Sequence, residues 1–163
     1  MDLIIVRHAK SLHEEYISRD IERHLFERGY FDASLSADWC IVNKLKPDFI
    51  LSSPAIRAFS TALIFANKFG FSPEQIQLKN AIYEATYRSL LMVLEESMIV
   101  EGTYLLFGHN PGLTDLVNYL CGHVCLNLPT SAVIHIRLNK DVSKRWAEGA
   151  AEVIQKFSGH KSF

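Results

Sequence analysis

A three-layer α/β/α sandwich with a mostly parallel central sheet is the α/β fold that two observations in this chain predict. Short apolar runs alternate with longer segments of helical spacing, the pattern of strands joined by crossover helices. Three of the runs stop abruptly at charged or turn-forming residues, and the carboxyl ends of parallel strands are where open α/β sheets keep their chemistry.

The first strand spans residues 2–7, where Leu3, Ile4, Ile5 and Val6 lead into Arg7 and His8. A polar loop follows over 10–23. A helix is predicted over 27–44, with Leu35, Trp39, Val42 and Leu45 on a shared face despite Gly29 near its start. The second strand, 49–52, ends at Ser53 and Pro54. The second helix, 55–68, carries Ala58, Thr61, Ala62 and Phe65 at helical spacing and stops at Gly70. Residues 75–78 read as an edge strand, 88–98 as a third helix, and 103–107 as a strand that runs into Gly108, His109 and Asn110. Pro111 starts a fourth helix over 113–121. Residues 132–138 and 152–157 read as the last two strands.

If the first three long strands are parallel, Arg7, His8, Arg57 and His109 converge on one sheet edge. Such a cluster is strongly cationic, and like charges repel unless an anion relieves them. Forked guanidinium donors match phosphate oxygens, so the pocket predicts a phosphoryl ligand. An Arg-His pair alone can also cap a strand at the solvent edge; the recurrence at three strand ends is what favours a site.

At these residues the sequence resembles the histidine phosphatase superfamily, which includes the phosphoglycerate mutases, and within it the short SixA-type phosphohistidine phosphatases. The carriers are Arg7-His8-Ala9, the run Ser53-Pro54-Ala55-Ile56-Arg57-Ala58-Phe59-Ser60-Thr61-Ala62, and Gly108-His109-Asn110-Pro111. Asp20-Ile21-Glu22-Arg23-His24-Leu25-Phe26-Glu27-Arg28-Gly29 matches a further element in part, and Thr130-Ser131-Ala132 also looks like the family. Ala9 stands where most members have glycine, and His24 and Phe26 stand where proline and threonine are usual.

The resemblance implies one phosphoglycerate mutase-like histidine phosphatase domain over residues 1–163. His8 would be the nucleophile, its protonation disfavoured by neighbouring Arg7 and Arg57, and Arg7, Arg57 and His109 would neutralise the phosphoryl oxygens. No cofactor and no metal would be needed. Asp20, Arg23, Ser11 and Asn110 are carried over as substrate-binding residues, and Lys10 as a further residue near the phosphate. Glu84 either donates a proton to the leaving group or caps the helix that begins near Tyr87. The substrate expected is a protein phosphohistidine; the alternatives are a small phosphate monoester and a phosphate-binding module without turnover.

Composition agrees. The chain has 163 residues, 48% hydrophobic and 21% charged, which suits one ordinary globular domain rather than a disordered chain. A net charge of -1 offers no field for nucleic acid. No apolar run is long enough for a membrane span and the first residues lack a basic signal-peptide region, so a cytoplasmic monomer is expected. Cys40, Cys121 and Cys125 cannot all pair in one chain, and Cys121, His123 and Cys125 lack a nearby fourth zinc ligand. His135 reads as a strand histidine satisfied by hydrogen bonds and the pair Lys144-Arg145 as a solvated face. His13 and His24 read as surface residues or as part of the site's rim, and His160 matches no element.

Overall fold

The computed structural model describes residues 1–12 and 19–159; His13 and His160 therefore lie outside the described residues. Among the described residues, six strands form one sheet in the spatial order β3, β2, β4, β1, β5, β6. In chain order these are β1 (Asp2–Arg7), β2 (Phe49–Ser52), β3 (Ile76–Leu78), β4 (Thr103–Gly108), β5 (Val133–Leu138) and β6 (Ala151–Phe157). Strands β3, β2, β4 and β1 pair in parallel, whereas β5 runs antiparallel to β1 and β6 antiparallel to β5.

The apolar runs are continuous because both faces of the sheet are covered. Leu3 and Ile5 of β1, with Tyr104 and Leu106 of β4, pack with Leu90 and Leu94 of α3 (Tyr87–Ser97) and Leu113 and Leu116 of α4 (Gly112–Cys121). Their neighbours Ile4, Val6, Leu105 and Phe107 point the other way. They pack with Ala37 and Cys40 of α1 (Glu27–Val42) and Ala62 and Phe65 of α2 (Ile56–Phe69). This is the sandwich expected from the alternation, with every long element within two residues of its predicted bounds. The α2 face is also as expected, and Gly70 ends that helix in the left-handed conformation at φ 79°.

Two expectations depart from the structure. The α1 face is met in part: Leu45 is buried and Trp39 packs half-buried against the core, but Leu35 and Val42 are exposed, Val42 by 78%, and the helix buries Ala33, Ser36, Ala37 and Cys40 instead. At Gly29 a Cβ would sit 2.2 Å from the Lys10 carbonyl oxygen, so the start of α1 is pressed against the loop that follows β1. Nor is Arg145 solvated: it is buried and donates from Nη2 to Glu101 Oε1 at 3.0 Å, on a carboxylate that also pairs with the Met1 amino group. Its neighbour Lys144 is exposed.

His135 is satisfied as expected, with Nε2 3.0 Å from Asp2 Oδ2. The three cysteines are free thiols, and among the described residues no three His, Cys, Asp or Glu side chains gather as metal ligands. No helix among those residues is long and apolar enough to cross a membrane.

Candidate active site

Register brings the strand-end residues together. Arg7 of β1 lies opposite Gly108 of β4, and Ser52 of β2 lies opposite Phe107, so His8, His109 and the start of α2 emerge at one sheet edge. The rings of His8 and His109 stand 5.0 Å apart. Arg57, in the first turn of α2, directs its Nε to His8 Nε2 at 3.3 Å. A cavity of about 350 Å³ opens over this group and is lined by Arg7, His8, Arg57 and His109. Lys10, Ser11, Leu12, Arg23, Asn110 and Thr130 complete its wall.

The tautomer of His8 follows from its partners. Nδ1 lies 2.8 Å from the Ala9 carbonyl oxygen, which can only accept, while Nε2 faces an Arg57 N–H, which can only donate. The proton therefore sits on Nδ1 and the lone pair on Nε2. Burial pushes the His8 pKa down to about 3, and the charges of Arg57, Arg7 and Arg23 push the same way against the Ala9 hydrogen bond. Arg7 and Arg57 disfavour protonation as expected, and burial, the larger cause, adds to them. His109 is likewise held down to about 3, first by burial, then by His8, Arg57 and Arg7, with Asp20 opposing. Its Nε2 is 2.8 Å from Ser53 Oγ, and the Tyr83 ring meets it edge-on at 5.6 Å. Both imidazoles are thus held in the neutral form near pH 7, and the arginines carry the positive charge of the site.

Local bonds hold these parts. Thr61 Oγ1 donates to the Arg57 carbonyl at 2.7 Å and accepts from the Ala9 N–H at 3.0 Å, tying the first turn of α2 to the residue after His8. Arg7 Nη1 donates to the Leu128 carbonyl at 2.8 Å. Ser131, at φ 63°, donates its N–H to the Arg7 and His8 carbonyls at 3.2 and 3.3 Å.

The remaining expected residues divide. Ser11 forms an isolated antiparallel bridge with Leu25, and Asn110 Nδ2 donates to Asn127 Oδ1 at 2.7 Å and the Leu128 carbonyl at 3.0 Å. Both line the cavity, as does Arg23. Asp20 does not: its Oδ2 accepts from Arg57 Nη2 at 2.7 Å and from the Tyr83 hydroxyl at 2.8 Å, and its Oδ1 is 3.3 Å from Arg23 Nε. Asp20 thus reaches the cavity only through the side chains it holds. Glu84 is exposed at φ 50° in the turn after Tyr83 and is not part of the cavity wall. It does not cap α3 either, because Thr86 does so by accepting from the Ser89 N–H. That turn abuts the start of α4: a Cβ on Gly112 would lie 2.0 Å from the Ala85 carbonyl oxygen. His24 is exposed and lies outside the cavity wall.

Sequence reasoning missed Ser53 and Tyr83. Ser53 was recoverable, since it ends β2 on the same edge as the histidines. Tyr83 carried no signal of its own, because its contacts are with residues far away in the chain.

Neutral imidazoles set among fixed guanidinium charges, over the carboxyl ends of parallel strands, define a phosphatase. The model of the histidine phosphatase superfamily (branch 1) matches residues 3–98, well over half of the sequence, and the chain belongs to that superfamily. His109 lies beyond the matched span. No curated protein matches in sequence. The fold is similar to that of the protein assigned as phosphohistidine phosphatase SixA from Agrobacterium tumefaciens, with TM-score 0.80, 23% identity, and 96% of this chain and 97% of that one covered. It is also similar to a protein histidine phosphatase SixA complexed with tungstate, with TM-score 0.79, 20% identity and 97% of each chain covered. A phosphoserine phosphatase variant from Entamoeba histolytica in complex with phosphoserine gives TM-score 0.66, 15% identity and 96% of each chain covered. The fold is phosphoglycerate mutase-like.

Proposed function

We propose that this chain hydrolyses protein phosphohistidine without a metal, through a phosphoryl intermediate on His8. The observation that carries the reading is the Nε2 lone pair of a neutral His8, aimed at a cavity walled by arginine. That nitrogen forms a bond to phosphorus as the substrate's N–P bond breaks, and Arg7 and Arg57 offset the charge on the phosphoryl oxygens in transit. His109 contributes an N–H or takes up a proton once the anion has arrived.

The Nδ1–H bond to Ala9 governs the second step. A ring phosphorylated on Nε2 while still protonated on Nδ1 is a cationic imidazolium and a good leaving group. Water forms the new O–P bond, the His8 N–P bond breaks, and dihydrogen phosphate departs with both protons of that water, leaving His8 neutral as it began. When the substrate's phosphohistidine ring carries a proton on its other nitrogen, the first leaving group departs as a neutral imidazole, and no acid from the protein is required. Glu84 then matters only for alkyl esters, whose alkoxide needs a proton.

Two features favour a protein substrate. Between α2 and Tyr83 the chain holds only β3 and two single-turn helices, so no helical lid covers that side. The tungstate held by the SixA structure, a tetrahedral oxyanion, also supports a phosphoryl ligand in this cavity. A second reading, a small phosphate monoester, draws on the phosphoserine bound to the Entamoeba histolytica neighbour. Rates on a histidine-phosphorylated protein, phosphoserine and a sugar phosphate, measured with chelator throughout, separate the two. The phosphohistidine protein should be preferred by at least about tenfold, and Glu84→Gln should slow only the alkyl esters. A sugar phosphate faster by orders of magnitude, or activity that needs a divalent ion, overturns this reading.

A further inference from the structure

Asp20 lies outside the cavity wall, yet it is the residue on which Arg57 is built. Arg57 donates from Nη1 to the Asp20 carbonyl and from Nη2 to the Asp20 carboxylate, both at 2.7 Å. One residue thus grips both terminal nitrogens, through backbone and side chain. With one N–H of each terminal nitrogen held in this way, Nε–H faces His8 Nε2 at 3.3 Å, and the second N–H of each terminal nitrogen is left for a ligand. The Tyr83 hydroxyl, at 2.8 Å, braces the same carboxylate oxygen from the side of His109. Burial works against the charge on Asp20, but hydrogen bonds from Tyr83 and Arg57 and the charges of Arg57 and Arg23 hold its carboxyl below the ordinary value.

A carboxylate repels the phosphate that this cavity attracts, so its presence needs a compensating use. The geometry supplies one. An arginine side chain has several staggered rotamers, and the one held here, with the side chain 4% exposed, puts Nε–H over the nucleophile. We propose that Asp20, braced by Tyr83, is a positioning residue that orients Arg57 on the His8 nitrogen at the cost of weaker binding of free phosphate. The inference rests on the function proposed above for its effect on rate, but not for its effect on Arg57 itself.

The consequences of charge and geometry separate in two variants. Asp20→Asn can keep an oxygen where Arg57 and Tyr83 bond and loses only the charge and the Arg23 pair. Asp20→Ala loses both. In Asp20→Ala, turnover should fall by about ten- to a hundredfold while inorganic phosphate binds a few times more tightly. Asp20→Asn should recover most of the turnover and keep the tighter phosphate binding. In an Arg57→Ala background, Asp20→Ala should cost little further turnover, because its effect runs through Arg57. Independent losses in that double variant would overturn the proposal.

The ¹⁵N–¹H signal of Arg57 Nε, identified by its disappearance in Arg57→Lys, reads orientation with no substrate present. It should be sharp in the unaltered chain and in Asp20→Asn, and broadened by solvent exchange in Asp20→Ala. A signal unchanged in Asp20→Ala overturns the positioning role whether or not the chain turns over. A wild-type chain inactive on every phosphorylated substrate, with the signal behaving as stated, would remove the proposed function and leave the positioning intact.

Discussion

The two ends of the sheet each bury a histidine beside an arginine and an aspartate, and they use the three residue types in opposite ways. At the amino-terminal end, His135 is 5% exposed and its Nε2 points directly at the Asp2 carboxylate, which Arg137 also grips through two nitrogens. At the carboxyl end, His8 is 6% exposed, and the carboxylate is one residue removed: Asp20 holds Arg57, and Arg57 faces the imidazole. The order of the three groups is what differs. A histidine next to a carboxylate has its ring nitrogen spent on a structural bond. With a guanidinium interposed, the nitrogen keeps its lone pair, engaged only by the long 3.3 Å contact from Arg57 Nε–H, and stands beside a cation, which suits attack on an anion. Burial and composition alone would have ranked the two histidines as equals.

The largest expected effect tests that contrast directly. His8→Ala should lower turnover by about a thousandfold or more and abolish an acid-labile phosphoryl label, whereas His135→Ala should leave turnover within about twofold and lower stability by about 1–3 kcal/mol. Rapid-quench labelling and urea unfolding read the two effects. Equal losses of activity would erase the difference between the ends.

Next in size, Arg57→Lys should recover little of the roughly hundredfold loss expected for Arg57→Ala. An ammonium cannot hold both Asp20 oxygens and still face His8. Steady-state rates decide this, and a fully active lysine variant would show that charge alone suffices.

The last effect, read in stability rather than turnover, is a difference in acid sensitivity. His8 and His109 have their pKa values lowered from 6.5 to about 3, so from pH 6.5 downward the unfolded chain takes up protons that the folded chain refuses. Stability should therefore fall as pH drops across that window, with a slope of up to about 1.4 kcal/mol per pH unit for each histidine. Asp2 behaves otherwise. Burial tends to raise its pKa, but bonds from Arg137 and His135 prevail and hold it below 3.8. Its contribution is complete above that value and is lost only as pH falls through the lower folded one. Urea titrations at a series of pH values should show a flatter slope between pH 6.5 and 3 in a chain lacking both His8 and His109. Asp2→Asn should change the slope only below about pH 4.

How far the sequence reveals the molecule depends on the range of the forces involved. The sheet and its edge were legible because alternation along β1 and β4 is local, and because Arg7, His8 and His109 stand where apolar runs stop. The α1 face was legible only in part, because large apolar residues usually mark a buried stripe. Here the inward positions are held by Ala33, Ser36, Ala37 and Cys40, and Leu35 and Val42 face outward. Arg145 read as solvated because Glu101, its partner, is distant in the chain. Asp20 was visible as part of a recognisable element but its contacts were not, since only tertiary structure shows its carboxylate bonded to Arg57 and Tyr83. The larger cause of the low His8 pKa was similarly hidden, for burial cannot be counted from neighbours in sequence.

The contact between Gly112 and the Ala85 carbonyl links two parts of the site that the chain keeps well apart. A gap that admits a hydrogen but no methyl group leaves the Glu84 turn and the helix behind His109 no freedom to drift separately. A chain of this family that lengthened that turn to admit a new leaving group would have to shift α4, and His109 with it. The Glu84 turn and the placement of His109 are therefore mechanically coupled through α4.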